Sequence, residues 1–189
     1  MAKEKGMSAE ELLSEEAEKV PAGSDGLMTV LDWLAPVDAR YKKGIMIGFD
    51  GRHTRGHIYR SILEAVAMTI KGHTEDMVNE VGVTLDKIII TGGGSNSDLF
   101  MQIFADVFNL PAVRNVVNGA AGLGSAICAA VATDVYGSFE EAVEGMVKIQ
   151  DTFVPNPENV ELYKKMIPIY KDITVHTDEV LKKTYELFE

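Results

Sequence analysis

Ile88-Ile89-Ile90-Thr91-Gly92-Gly93-Gly94-Ser95-Asn96-Ser97-Asp98, residues 88–98, joins an apolar run, a triple glycine and a cluster of polar helix-starting residues. The run from Lys87 to Thr91 predicts a strand covered on both faces, because strands buried in parallel sheets read as unbroken apolar stretches. Three glycines let a backbone come close to a ligand, with no Cβ in the way and positive φ allowed. Ser95 to Asp98 supply N-cap candidates, and the helix start beyond them offers unpaired N–H groups to polar or anionic atoms. Glycine turns of this kind also serve tight helix–strand packing, so the motif by itself leaves both readings open.

Outward from this turn the chain alternates helix and strand. Downstream, Leu99, Phe100, Ile103, Phe104, Val107 and Phe108 form one helical stripe, ended by Asn109 and Pro111. Ala112 to Val117 reads as a second strand, and Gly119 opens a helix of small residues. Upstream, Ile58, Ile62, Ala65, Val66, Thr69, Ile70, His73 and Met77 recur at helical steps between His57 and about Glu80, with Gly82 following. Gly44 to Asp50 reads as a short strand, while Leu27 to Tyr41 is apolar but irregular and receives no assignment. Ser8-Ala9-Glu10-Glu11 and Ser138-Phe139-Glu140-Glu141 have the form of capping boxes. Asn156-Pro157 starts a long helix with Val160, Tyr163, Ile167, Tyr170 and Val180 on its apolar side, which Pro168 is expected to kink. The alternation places the chain in the α/β class.

The remaining motifs narrow the chemistry. Gly119-Ala120-Ala121-Gly122-Leu123-Gly124 is spaced G-x-x-G-x-G rather than the G-x-G-x-x-G of a dinucleotide fold. Close helix–strand packing accounts for its small residues more simply. Asp50-Gly51-Arg52 ends a strand in a way that could form a phosphate loop, but a helix follows it, which favours a plain turn. His53 and His57 lack an obvious third ligand for a metal, and Glu64 reads as a solvated or salt-bridged side chain. Cys128 lies in a run of small apolar residues and is expected to be a buried structural thiol, and a single cysteine excludes an intrachain disulfide. A net charge of −11 argues against nucleic acid and anionic membrane surfaces as partners. With no signal-type stretch and no span-length apolar run, cytoplasm is the expected location.

Taken in order, several of these pieces resemble the FGGY family of carbohydrate kinases. Gly44, Met46, Gly48, His57-Ile58 and Ser61-Ile62-Leu63-Glu64 resemble its second signature, with Phe49 where an aliphatic residue is usual. Ile88 to Ser95 is similar to its adenosine motif, and Leu99 to Asp106 fits the helix that follows. Gly124-Ser125-Ala126 resembles its small-residue helix, Pro155-Asn156-Pro157 with Tyr163 and Tyr170 its tail, and Pro21 to Leu27 its upstream loop. The resemblance implies a ribonuclease-H-like, actin-like ATPase C-terminal lobe over residues 1–189, with a helical tail at 155–189. It also implies transfer of the ATP γ-phosphate to a sugar hydroxyl. ATP or ADP would lie against Gly92, Gly93, Gly94, Asn96 and Ser97; the family often carries Asn at the Ser97 position.

The same resemblance marks what this sequence does not contain. The family's catalytic Asp and both phosphate loops precede the matched region, and Mg²⁺ is expected only in the complete enzyme. No Asp-Gly-Thr run occurs, and Ala35-Pro36-Val37-Asp38-Ala39-Arg40 stands where Gly-Glu-Arg is usual. The expectation is a lobe lacking its first strands, in which Ile88-Ile89-Ile90 keeps an unpaired or uncovered side, inactive alone and paired with a separate N-terminal lobe or with itself. The rival expectation is a non-catalytic dimerisation or regulatory module.

Overall fold

A computed structural model of the chain describes residues 2–188, with only the backbone at Lys3 and Lys5. Met1 and Glu189, the outer ends of the expected lobe and tail, lie outside the described residues. Among the described residues seven helices and five short strands follow in order: α1 (Ala2–Lys5), α2 (Ala9–Ala17), β1 (Met28–Val30), β2 (Ile45–Ile47), α3 (Arg55–Val81), β3 (Ile88–Ile90), α4 (Asp98–Phe108), β4 (Ala112–Asn115), α5 (Ala120–Ala132), α6 (Phe139–Met146), β5 (Ile149–Phe153) and α7 (Pro157–Phe188). Two small sheets result: β1 and β2 pair antiparallel, while β3-β4-β5 joins a parallel pair to an antiparallel edge strand. None of the described helices is long and apolar enough to cross a membrane.

Local signals set most boundaries. Ser8 caps α2 by accepting the Glu11 N–H at 3.1 Å, and Glu11 returns the bond to the Ser8 N–H at 2.8 Å. Gly82 and Asn109 end α3 and α4 in the left-handed conformation, which releases the chain from the helix. At α6 only half of the expected box forms. Ser138 accepts from the Glu141 N–H, but the Glu141 carboxylate takes the N–H of Gly137 instead of Ser138. α7 continues through Pro168 as one helix.

The core lies where α3, α4 and α7 meet, with Ala65, Met68, Met101, Phe104, Tyr163 and Met166 among its buried residues. At its centre Glu64 is 1% exposed, so of the two readings it is the salt-bridged one, paired with Arg60, and not the solvated one. Its Oε1 accepts from the Gly23 N–H at 2.8 Å, Arg60 Nε at 2.9 Å and the Tyr163 hydroxyl at 2.8 Å, and its Oε2 accepts from the Ser24 hydroxyl at 2.9 Å. Burial, followed by the Glu64 charge, holds the Tyr163 phenol well above its ordinary range, so it stays a donor. Arg60 is also anchored, donating to the carbonyls of Val20 and Ala17. The loop that Glu64 holds needs this restraint, since Gly23, Ser24, Asp25 and Gly26 all have positive φ.

Ile88 and Ile90 pack on the core, while Ile89 is 53% exposed and, among the described residues, β3 has a neighbour on one edge only, the uncovered side expected of this run in a lobe lacking its first strands. Two expectations are corrected. The small residues of α5 do not serve close packing: a Cβ at Gly119, Gly122 or Gly124 would meet nothing within 4 Å. α5 packs on α6 and buries only Ile127, so Cys128 is exposed rather than buried.

Three outcomes follow. Removing a buried charge's partner strands the other, so Glu64→Ala should lower the unfolding free energy in urea by about 3–5 kcal/mol. Tyr163→Phe, which removes one donor of four, should cost about 1–3 kcal/mol. Separately, Cys128 should react stoichiometrically with an aromatic disulfide reagent in the native chain, without denaturant.

Candidate nucleotide cavity at the glycine turn

The strand–turn–helix unit forms as the sequence predicts, with a single 3-10 turn at Gly93–Asn96 between β3 and α4. Gly92 opens it at φ 85° and ψ −173°, a conformation that only glycine adopts without strain. Its N–H donates to the Asn118 carbonyl at 2.8 Å, and its carbonyl accepts from both the N–H (3.1 Å) and the hydroxyl (2.7 Å) of Ser95. Ser97 caps α4 by accepting the Phe100 N–H at 3.3 Å. A Cβ on Gly94 would come within 2.7 Å of the Phe100 ring, whereas one on Gly93 would meet nothing.

The turn forms one wall of a cavity of about 890 Å³ that takes in Gly93, Gly94, Asn96, Ser97, Asp98 and Phe100. Tyr59, Leu63 and Val66 of α3 make an apolar floor, and α2 supplies the opposite wall through Glu10, Glu11, Ser14, Glu15 and Glu18. Four of the five expected contact residues therefore share one space; Gly92 shapes the turn without lining it. α2 can stand here because Gly56 is bare of side chain. A Cβ at Gly56 would reach the Glu16 carbonyl oxygen at 2.8 Å, and the Arg55–Glu16 ion pair fastens the two helices beside it.

Two residues outside the motif hold the turn from below. Asn118 receives the Gly92 N–H and donates its amide to Asn96 Oδ1 at 2.7 Å. Arg114, 8% exposed on β4, donates through Nη1 to the Ser95 carbonyl at 2.9 Å and meets Asp98 Oδ1 at 2.9 Å. Its Nε donates to Asp151 Oδ1 at 2.9 Å and its Nη2 to Asp151 Oδ2, and the guanidinium lies 5.3 Å over the Phe153 ring. The Asp151 hydrogen bonds raise the Arg114 pKa above its already high ordinary value, so it stays a cation. Sequence reading missed both; a lone Arg within the apolar strand Ala112–Val117 was the available signal.

The other motifs are engaged in their own turns. The Arg52 guanidinium grips Asp50 at 2.7–3.2 Å, and those bonds hold the Asp50 carboxyl down to about 2. His53 Nδ1 accepts the Asp50 N–H at 2.8 Å, and His57 Nδ1 accepts the Thr54 N–H at 3.1 Å while its Nε2 lies 3.1 Å from Asp25. Among the described residues no group of three or more His, Cys, Asp or Glu is arranged to hold a metal ion.

Comparison with known proteins now fixes the class. Residues 3–133 match the FGGY family of carbohydrate kinases, C-terminal domain, and the chain belongs to that family. It is 53% identical over 187 residues to the uncharacterized sugar kinase YgcE of Escherichia coli K12, covering 98% of this chain and 38% of that protein. The crystal structure of a xylulose kinase from Rhodospirillum rubrum superposes with a TM-score of 0.78 at 26% identity, covering 92% of this chain and 35% of that one. A glycerol kinase from Plasmodium falciparum, solved with ADP, shares the fold with a TM-score of 0.75 at 18% identity, covering 93% and 35%. The fold is thus the ribonuclease-H-like, actin-like ATPase C-terminal lobe expected from the sequence, and the chain spans little more than a third of the length of these relatives.

The turn's geometry separates its glycines by experiment. Gly92→Ala, strained at its φ, should cost about 1–3 kcal/mol of stability by thermal melting. Gly93→Ala, facing open space, should stay within about 0.5 kcal/mol of the parent.

Proposed function

We propose that this chain is the ATP/ADP-binding part of a sugar kinase that moves the ATP γ-phosphate to a sugar hydroxyl, and that the cavity receives the adenosine end of the nucleotide. The observation that carries this reading is the open space over Gly93. It is backbone without a side chain, at the wall of a cavity whose volume suits a small ligand, beside the first turn of α4. The kinase relatives supply the nucleotide as the ligand class, and the ADP-bound glycerol kinase shares the fold.

The charge pattern sets which end of the nucleotide belongs here. Glu10, Glu11, Glu15, Glu18 and Asp98 line the cavity, and its described lining includes no lysine or arginine. Such a wall suits a nucleoside and opposes a polyphosphate. In this reading the phosphate cradle, the catalytic base and Mg²⁺ come from the remaining part of the kinase, as a separate chain or through self-association. The bare face and free outer edge of β3 and the uncovered side of α5 support such a docking surface, since an open strand edge is a template for another strand.

An ADP titration by calorimetry, up to millimolar ligand, tests the reading. Saturable binding that is abolished in Gly93→Val is expected. Raising salt from about 0.05 to 0.3 M should hold or strengthen that binding, because screening over roughly 6–14 Å relieves the repulsion between wall and phosphate. No binding by the parent chain, with its native melting intact, would instead favour a non-catalytic module.

A further inference from the structure

We propose that Arg114 is the positioning residue of the cavity: it holds segment 95–98 in the shape that receives a ligand, and affinity depends on it through that shape. The identity of the ligand rests on the nucleotide reading above, whereas the geometry does not.

Arg114 and Asp151 are register partners across β4 and β5, so the guanidinium is aimed by the sheet itself. Two nitrogens are spent on Asp151, which fixes the plane and direction of the fork. Nη1 is then left to reach both the Ser95 carbonyl and the Asp98 carboxylate, at 2.9 Å each. These two acceptors bracket Asn96 and Ser97, the polar residues that the turn offers to the cavity. Neither can shift without breaking a bond to a nearly buried cation, and such a cation tolerates burial only while its acceptors stay in place. Phe153 beneath the guanidinium plane closes the remaining direction of movement.

The arrangement is specific to arginine. A lysine at the same place would keep a charge for Asp151, but its single nitrogen has no planar fork to span Asp151, Ser95 and Asp98 together. Arg114→Lys therefore separates positioning from anchoring the sheet, which a truncation would not.

The test uses the 189-residue chain with amide hydrogen exchange, ADP titration and thermal melting. In Arg114→Lys, the N–H groups of Ser95 and Ser97, bonded to the Gly92 and Gly94 carbonyls, should exchange at least about tenfold faster while amides in the middle of α4 keep their protection. The ADP dissociation constant should rise by roughly tenfold, about 1.4 kcal/mol. Asp98→Ala, at an exposed side chain, removes one end of the clamp and should loosen the same two amides about threefold. It carries the test if the lysine variant does not fold. Unchanged exchange at Ser95 and Ser97, or an equal acceleration throughout α4, would overturn the proposal, the second by making Arg114 a stability residue alone. Loosening of the turn in a chain whose parent does not bind ADP would sustain the positioning role and overturn the nucleotide reading only.

Discussion

Everything near the cavity hangs on one buried carboxylate. Glu64 sits on the middle of α3, and its two oxygens gather the loop at Gly23 and Ser24, the guanidinium of Arg60 and the hydroxyl of Tyr163 on α7. A carboxylate taken out of water costs several kcal/mol unless its lone pairs are filled, and here four donors fill them. The cost explains why the arrangement is all or nothing. Losing α7 or the loop would leave the charge short of donors, so the two segments are held to α3 as a set. Arg60 extends the set to the end of α2 and the segment after it through the Ala17 and Val20 carbonyls. The acidic wall of the cavity therefore stands where it does partly because of a charge pair on another face of α3.

A second centre, Arg114, does for the opposite wall what Glu64 does for the first. Both are buried ions with mixed partners, a counter-ion together with backbone groups. Both grip a loop whose backbone is unusual: consecutive positive φ values at 23–26, and φ 85° at Gly92. Tight loops of this kind are not stable from local contacts, and a rigid helix or sheet has to over-determine them. Of the two strained loops, the one fixed by Arg114 bounds the cavity, while the one fixed by Glu64 lies outside its lining and steadies α3 and the segment after α2.

How much of this was legible follows from the range of the interactions. β3 and α4 could be read because an apolar run, a triple glycine, a cap and a helical stripe are all local. The helix α2 could be read from its capping box, but nothing local says that its acidic side faces Gly93 and Gly94. For Glu64 the salt-bridged alternative holds, with Arg60 four residues away, but its burial was not legible because its other partners lie 40, 41 and 99 residues away. Arg114 was passed over because its bonds to Asp151 and Ser95 are 37 and 19 residues distant. β5, Ile149-Gln150-Asp151-Thr152-Phe153, escaped notice as a half-exposed edge strand with few apolar residues. Cys128 was misplaced for another reason. Apolar composition shows what a helix can bury, and burial also requires a neighbour, which α5 finds chiefly in α6.

That last point bears on the fold as a whole. A parallel strand is normally covered on both faces, yet β3 leaves Ile89 half exposed, and α5 leaves most of an apolar helix in water. The exposed groups are of two kinds that together are informative. Unpaired backbone on the outer edge of β3 calls for another strand, and the Cβ-free positions of α5 allow another backbone to approach closely. An isolated apolar helix calls only for any hydrophobic cover, which a detergent or a misfolded chain can provide. A strand edge is more demanding, because it fixes direction and register as well as contact. The physical demand made by this side of the lobe is therefore for more sheet, and a partner that offered only a helix would leave the β3 edge unsatisfied.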